Sequence, residues 1–313
     1  MAKTPKKKKQ SSKIAKKLFA FLLTLCLSVG YAVYNGNIQN IDDFFEFIGL
    51  KPPTVATMEN SALVHFVDVG QGDCAVIQID DKTIMIDSGE SYVGSDVVAY
   101  LHSIGVRDID LLIASHQHSD HIGGFATVIR NFKVKQLIMP KIPDSLIPDS
   151  AAYENVITAA QNRGTEVNSV LPFESYSFYG GVFSVIGPVR EYNDLNLDSL
   201  IVQFDYGNHS FLFMGDSERK SEYELINSGV LGHIDVLKVA HHGSKDATTM
   251  KFLSVTAPDY GVISCGLDND YGHPHEEALI RLKDSGVNIL TTSQNGNIIF
   301  ETDGSNLIYK TEK

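Results

Sequence analysis

The sequence predicts a mixed α/β body over residues 61–313, with β-sheets covered by helices. Three observations lead to it. From Ala62 onward, short apolar runs alternate with helical stretches. The polar breaks Asp80-Asp81-Lys82 and Asp205-Tyr206-Gly207-Asn208 each fall between apolar runs, so both read as hairpin turns. An apolar content of 43% over 313 residues supplies one sizeable core and excludes a disordered chain. Three cysteines with no Cys-x-x-Cys also exclude a disulfide scaffold and a thiolate zinc finger.

Ahead of the body, residues 1–17 carry eight lysines and no acid, and residues 18–34 then run for 17 residues without a charge. As a helix that run is about 26 Å long, slightly short of a bilayer's hydrocarbon layer. Ile14 and Ala15 extend it, and Lys16 and Lys17 can reach back to the headgroups. Lysines before an apolar run place the N-terminus in the cytoplasm and the body outside. The expectation is a single-pass protein of the cell membrane, anchored by 18–34. Read as a cleaved signal segment, the same run gives a secreted protein. Residues 35–60 form a linker with an apolar patch (Ile41, Phe44, Phe45, Phe47, Ile48) and then Pro52-Pro53.

The formal charge of −12 is uneven. Taking the eight N-terminal lysines from 26 basic residues leaves 18 against 38 acidic ones, about −20 for the remainder. Each phosphate contact needs a cation, so such a body is not expected to grip a nucleic-acid backbone by bulk charge.

Within the body, strands are expected at 63–69, 74–79, 83–86, 111–114, 136–139, 200–206, 210–214, 236–240, 260–265, 288–290 and 297–300. Helices are expected at 95–103, 124–131, 151–162, 218–226, 248–254 and 276–284. Residues 140–177 are the least readable stretch. Ser115-His116-Gln117-His118-Ser119-Asp120-His121-Ile122-Gly123-Gly124 follows a buried run and packs four potential metal ligands into six residues. Imidazoles and carboxylates suit a divalent ion of intermediate softness. His116 and His118 alternate, so an extended chain points both to one side. Asp120 and His121 can serve a second ion if the chain turns there, and Gly123-Gly124 permits a tight return into a helix.

His-x-His-x-Asp-His-x-Gly-Gly after an apolar strand resembles the signature of the metallo-β-lactamase superfamily. His65-Phe66-Val67-Asp68-Val69-Gly70-Gln71-Gly72-Asp73, Met85-Ile86-Asp87-Ser88-Gly89 and Met214-Gly215-Asp216 resemble, more narrowly, the hydrolase domain of ComEC-type DNA-uptake proteins. So do Leu237-Lys238-Val239-Ala240-His241-His242-Gly243-Ser244 and Tyr271-Gly272-His273-Pro274. The resemblance spans residues 62–300 and implies a four-layer αββα sandwich with one or two divalent ions, Zn or Mn, at its rim. It implies that His116 and His118 hold the first ion and Asp120 and His121 the second. Asp216 would bridge them, and His241 would complete the second site. His242 is set aside as a ligand because adjacent side chains leave an extended strand on opposite faces. Asp120 and Asp216 are then expected to position the attacking water, and His242 or His273 to assist the leaving group. Asp87, with Asp68 and Asp73, is expected to brace the ligands from behind.

One departure stands out. Residues 192–200, where lactamases and glyoxalases of this fold carry a further ligand histidine, hold none, leaving the first ion His116, His118, Asp216 and solvent. Among other candidates, His65 reads as a satisfied core histidine, as do His102, His209 and His233. His275 reads as a helix-cap residue, and Cys74 and Cys265 are either paired or free thiols. The resulting expectation is an exported, metal-dependent hydrolase acting on a phosphodiester, with one strand of incoming DNA as substrate and DNA-uptake machinery as partner. Two other readings share these residues: an esterase for smaller phosphodiesters such as choline-phosphate groups on cell-wall polymers, and a non-enzymatic DNA-binding or assembly subunit.

Overall fold

The computed structural model describes residues 58–170 and 172–313. The expected anchor at 18–34 and the basic segment before it lie outside the described residues. Among those described, no helix is long and apolar enough to cross a membrane.

One sheet holds β1 (Ala62–Phe66), β2 (Ala75–Ile79), β3 (Lys82–Ile86), β4 (Asp108–Ile113), β5 (Lys133–Ile138), β6 (Glu166–Asn168), β14 (Ile298–Thr302) and β15 (Leu307–Thr311), in the spatial order β15-β14-β1-β2-β3-β4-β5-β6. The other holds β7 (Glu174–Phe178), β8 (Gly181–Gly187), β9 (Ile201–Tyr206), β10 (His209–Phe213), β11 (Val236–Lys238), β12 (Tyr260–Ile263) and β13 (Asn288–Thr291), in the order β13-β12-β11-β10-β9-β8-β7.

Strand alternation divides the side chains between layers. Val64, Phe66, Ile77, Ile84 and Ile113 of the first sheet face Val202, Phe204, Phe211, Phe213 and Val262 of the second. On the outer face of the first sheet, Val76, Met85 and Leu112 pack under α1 (Gly94–Ser103), α3 (Phe125–Asn131) and α4 (Ala151–Arg163). On the outer face of the second, Leu212, Leu237 and Ile263 pack under α5 (Arg219–Ser228), α6 (Met250–Thr256) and α7 (Glu276–Asp284). Two further helices are single turns, α2 (Ser119–Ile122) and α8 (Thr292–Asn295). Two sheets face to face with helices outside both make the expected four layers.

Both sheets are partly parallel. β3 to β6 run parallel, as do β10 to β13, with helices on the crossovers. Parallel strands gather their carboxyl ends along one edge, where connecting loops converge. The loops after β3, β4, β10, β11 and β12 carry the chemistry-bearing motifs.

Every expected strand and helix is present, with ends shifted by at most three residues. Both expected hairpins form, pairing Ile79 with Lys82 and Tyr206 with His209. Unanticipated strands are β6, β7, β8 and β15; β6, β7 and β15 are short and half-exposed, so they lack an apolar stripe. Two histidine readings are corrected. His102 is exposed against Phe132, and His233 is 55% exposed near Asp235 and Asp259, so neither is a core residue. His209 is half-buried beside Asp235. Cys74 and Cys265 are buried free thiols.

His65 is 1% exposed on β1, with Nδ1 2.8 Å from the Tyr100 hydroxyl. Burial pushes its pKa down to about 3. The folded protein therefore binds this proton less readily than the unfolded chain, so stability falls as pH drops from about 6.5 towards 3. His65→Gln removes that loss. In urea unfolding, the stability advantage of the wild type over the variant should shrink between pH 7 and pH 4.5; an unchanged advantage would contradict the assignment.

Candidate metal centre

The site starts from β4, whose buried end delivers Ser115 and His116 to the sheet edge. Asp87 fixes that end by accepting a hydrogen bond from the Ser115 amide (2.8 Å). His116 and His118 come together, with Nε2 of the first 2.9 Å from Nδ1 of the second. The chain then turns into α2, which carries Asp120 and His121. Gly123 is required for space: its conformation is ordinary helix, but a Cβ would stand 2.3 Å from the Ser91 amide nitrogen. The opposite sheet contributes Gly215-Asp216 after β10 and Ala240–Gly243 after β11. Gly215 has a left-handed φ of +52°, and a Cβ there would stand 2.9 and 3.0 Å from the Ser115 and Ser199 Cβ atoms, so no side chain fits.

Asp216 is 3% exposed, and its two oxygens face different partners. Oδ1 lies 3.3 Å from His121 Nε2 and 3.5 Å from His242 Nε2. Oδ2 lies 3.6 Å from His241 Nε2 and 3.8 Å from His116 Nε2. Asp120 Oδ2 adds a contact of 3.3 Å to His242 Nε2. Two ligand clusters result: Asp120, His121, Asp216 and His242 in one, His116, His118 and Asp216 in the other, each with donor atoms within 4.8 Å of one another.

On the β11 turn the residue that groups with Asp120, His121 and Asp216 is His242, where the sequence pointed to His241. The face-alternation argument needed an extended chain. Here His241 and His242 both have left-handed backbone angles (φ 48° and 52°), and the tight turn aims both rings at one carboxylate. His241 lies instead on the Oδ2 side, with its Nδ1 3.3 Å from Glu218. That is the side where residues 192–200 supply no histidine. Ser199, in that stretch, accepts a hydrogen bond from the Asp216 amide (3.1 Å).

Behind the ligands, Asp87 Oδ2 accepts from His121 Nδ1 (2.9 Å), and the Ser264 carbonyl accepts from His242 Nδ1 (2.9 Å), with Asp73 Oδ1 3.1 Å away. Asp73 is in turn paired with buried Lys238 (2.9 Å). Asp68 does not reach the cluster: it accepts from the Gly70 amide and meets Lys313. With Nδ1 of His121 and His242 donating backwards, each Nε2 presents its lone pair to the cleft. His121 Nε2, His242 Nε2 and Asp216 Oδ1 are buried and have no hydrogen-bond partner among the described residues. Buried polar atoms are seldom left so, and a divalent cation satisfies all three at once. The residues therefore fit such an ion.

The electrostatics show the same demand for positive charge, which protons on His121 and His242 meet until an ion displaces them. Burial disfavours a charged imidazole, yet Asp216, Asp87 and Asp120 outweigh it and hold His121 well above its usual range. Against the same burial, Asp216 and Asp73 raise His242 to about 10. His116 moves the other way, pushed well down by burial and by His121. Asp216, despite burial, is held well below the usual carboxylate range by His121 and His242. Such opposed shifts in one cleft mark a functional site.

The cleft above these groups encloses about 250 Å³. Its far wall carries His273, whose pKa burial and the neighbouring imidazoles of His242 and His241 lower to about 4. His275 caps α7 and accepts from the Lys245 amide. Ser115, Ser199, Glu218 and Lys238 were not singled out from sequence; each lies within or beside a quoted motif but has no distinguishing chemistry until its partner is known.

Residues 67–267 match the family model described as the metallo-beta-lactamase superfamily. The chain is 30% identical over 254 residues to ComE operon protein 3 of Bacillus subtilis, covering 75% of this chain and 32% of that protein. It is 29% identical over 259 residues to competence protein ComA of Neisseria gonorrhoeae, covering 81% and 34%. A more distant likeness, 22% over 149 residues and 48% of each chain, is to exodeoxyribonuclease YycJ of Bacillus anthracis. The chain thus spans about a third of the length of the two competence-related relatives. Among solved structures, the metallo-beta-lactamase fold protein YhfI of Bacillus subtilis superposes with a TM-score of 0.52 at 13% identity, over 77% of this chain and all of that one. This last likeness concerns the fold alone.

Titration with Zn or Mn against a chromophoric chelator checks the site. Asp87→Asn should weaken binding about 10- to 100-fold, because its single acceptor oxygen cannot serve both the Ser115 amide and His121 Nδ1. His242→Ala should lose an ion that His241→Ala retains, and His241→Ala should weaken the other. Equal losses in both variants would contradict the division of Asp216 between two clusters.

Proposed function

The chain belongs to the metallo-beta-lactamase superfamily, and on that premise we propose that it is a metal-dependent phosphodiesterase that cuts single-stranded DNA outside the cytoplasm. One observation carries the reading: a buried carboxylate whose two oxygens each face a separate group of imidazoles at the floor of an open cleft. Divalent ions held there supply a water acidified towards a pKa of about 7 and neutralise charge on the phosphoryl oxygens.

The chain's own residues divide the remaining work. His116, His118 and His241 with Asp216 would hold one ion, and Asp120, His121 and His242 with Asp216 would hold the other, Zn or Mn in either place. Asp120 and Asp216 orient the attacking water. His273, on the facing wall, contacts the leaving oxygen. Asp87 and Asp73 keep the ligand tautomers fixed from behind.

The DNA substrate is supported by what the relatives are called, a competence protein and an exodeoxyribonuclease among them. Because the chain covers only a fraction of those proteins, DNA-uptake machinery as a partner belongs to the proposal. So does anchoring in the cell membrane by residues 18–34, which rests on their apolar run behind eight lysines. A smaller phosphodiester, such as a choline-phosphate ester, is the second reading, favoured by a cleft of about 250 Å³ that receives little beyond one phosphodiester unit.

The purified full chain, loaded with Zn or Mn, should cleave single-stranded DNA and a generic aryl phosphodiester. His118→Ala and Asp216→Asn should each lose about two orders of magnitude or more of that activity. Cleavage of small esters alone would transfer the reading to the second substrate. Failure on every phosphodiester by metal-replete protein would overturn it.

A further inference from the structure

Tyr271 is 65% exposed on the rim of the metal cleft, and the hydrolytic chemistry makes no use of it. Its position is fixed by the loop between β12 and α7. One side chain, Asn269, ties that loop together: its Nδ2 donates to the Gly266 and His273 carbonyls, and its Oδ1 accepts from the Tyr271 and His273 amides. The phenol ring lies nearly parallel to the His273 imidazole, at 18° with centroids 5.7 Å apart. A flat apolar surface is thereby held in water beside the reacting groups, at little conformational cost to whatever lands on it.

The surroundings say what can land there. Among the described residues, no lysine or arginine lines the cleft, and none occurs from Gly266 to Ile280. Asp268 and Asp270 shortly precede Tyr271 in sequence and disfavour a phosphate at this loop. Two neutral amides do line the cleft, and each has an atom with no hydrogen-bond partner among the described residues: Gln71 Nε2, a donor, and Asn196 Oδ1, an acceptor. An exposed aromatic face beside neutral amides, in a cleft that no lysine or arginine lines, matches a nucleobase, which has a π-face and carries no charge.

We infer that Tyr271 is the platform on which a base of a single-stranded nucleic acid stacks while the adjoining phosphodiester lies over Asp120 and Asp216. The inference rests on the phosphodiesterase reading and narrows its substrate: the strand is positioned by its base, and paired strands are excluded because their bases are already stacked.

Binding tests it separately from turnover. Fluorescence anisotropy would be measured on the metal-loaded full chain with two oligomers of equal length and cleavage-resistant phosphorothioate linkage, one of thymidine and one abasic. Tyr271→Ala should weaken thymidine-oligomer binding about five- to a hundred-fold, the range that one lost base–aromatic stack produces. Tyr271→Phe should bind like the wild type, and the abasic oligomer should bind all three proteins alike. Unchanged metal stoichiometry in Tyr271→Ala shows that the centre is intact. Equal weakening towards both oligomers, or none towards either, overturns the platform. Base-dependent binding without cleavage of any phosphodiester would leave the platform standing and remove the hydrolytic reading; cleavage and binding indifferent to Tyr271 would do the reverse.

Discussion

A single carboxylate, buried between two sheets and surrounded by imidazoles, is the constraint on which the site depends. Charge in a protein interior is tolerated only when paired, and the pairing strengthens as water is excluded. Asp216 cannot escape by rotating away. Its amide is tied to Ser199 Oγ, and Gly215 before it sits where any Cβ would meet Ser115 and Ser199, which fixes the backbone that carries it. The imidazoles are equally fixed, since His121 and His242 are held through their Nδ1 atoms by groups that are themselves buried. What is left is a fixed set of lone pairs and oxygens pointing at shared space, and a cation is the partner that satisfies them.

The fold supplies this by joining two half-parallel sheets at one edge. The Ser115 carbonyl, on the first sheet's metal loop, accepts from the Leu200 amide at the start of β9, and the His241 amide donates to the Gly215 carbonyl. Backbone bonds therefore cross between the loops that carry the ligands. The buried Lys238–Asp73 pair behind His242 belongs to the same logic. A buried ion pair adds little net stability, because desolvation offsets its attraction. Its effect is to fix a carboxylate against an imidazole nitrogen. Stability comes instead from the three apolar layers, one between the sheets and one beneath each helical face.

How much of this was legible depended on whether a residue's role could be expressed in local pattern. Central strands were legible because burial on both faces leaves continuous apolar runs, as in β4 and β10. Edge strand β7, Glu174-Ser175-Tyr176-Ser177-Phe178, has almost no buried face and therefore no pattern to read. The ligand loop was legible because four ligands stand within six residues. How His241 and His242 divide between the two oxygens of Asp216 was not legible, because it turns on two left-handed backbone angles that the residue types do not announce. Asp68 and Asp73 look alike in one short motif; only the fold shows that Asp73 turns towards His242 while Asp68 turns towards Lys313.

The proposed action of an acidic body on an acidic polymer is a contradiction only until net charge is separated from local field. Long-range attraction of DNA requires a spread of cations, and each one adds to the salt dependence of binding. This chain has the opposite balance outside its N-terminus, about −20 by formal count. On the proposed phosphodiesterase reading, an excess of acidic residues in the body would favour a phosphodiester chiefly where bound cations reverse the sign of the local field. Such an arrangement gives weak, short-lived binding with chemistry limited to a point contact. That suits an enzyme meeting a strand held by something else better than one that must find and track DNA unaided.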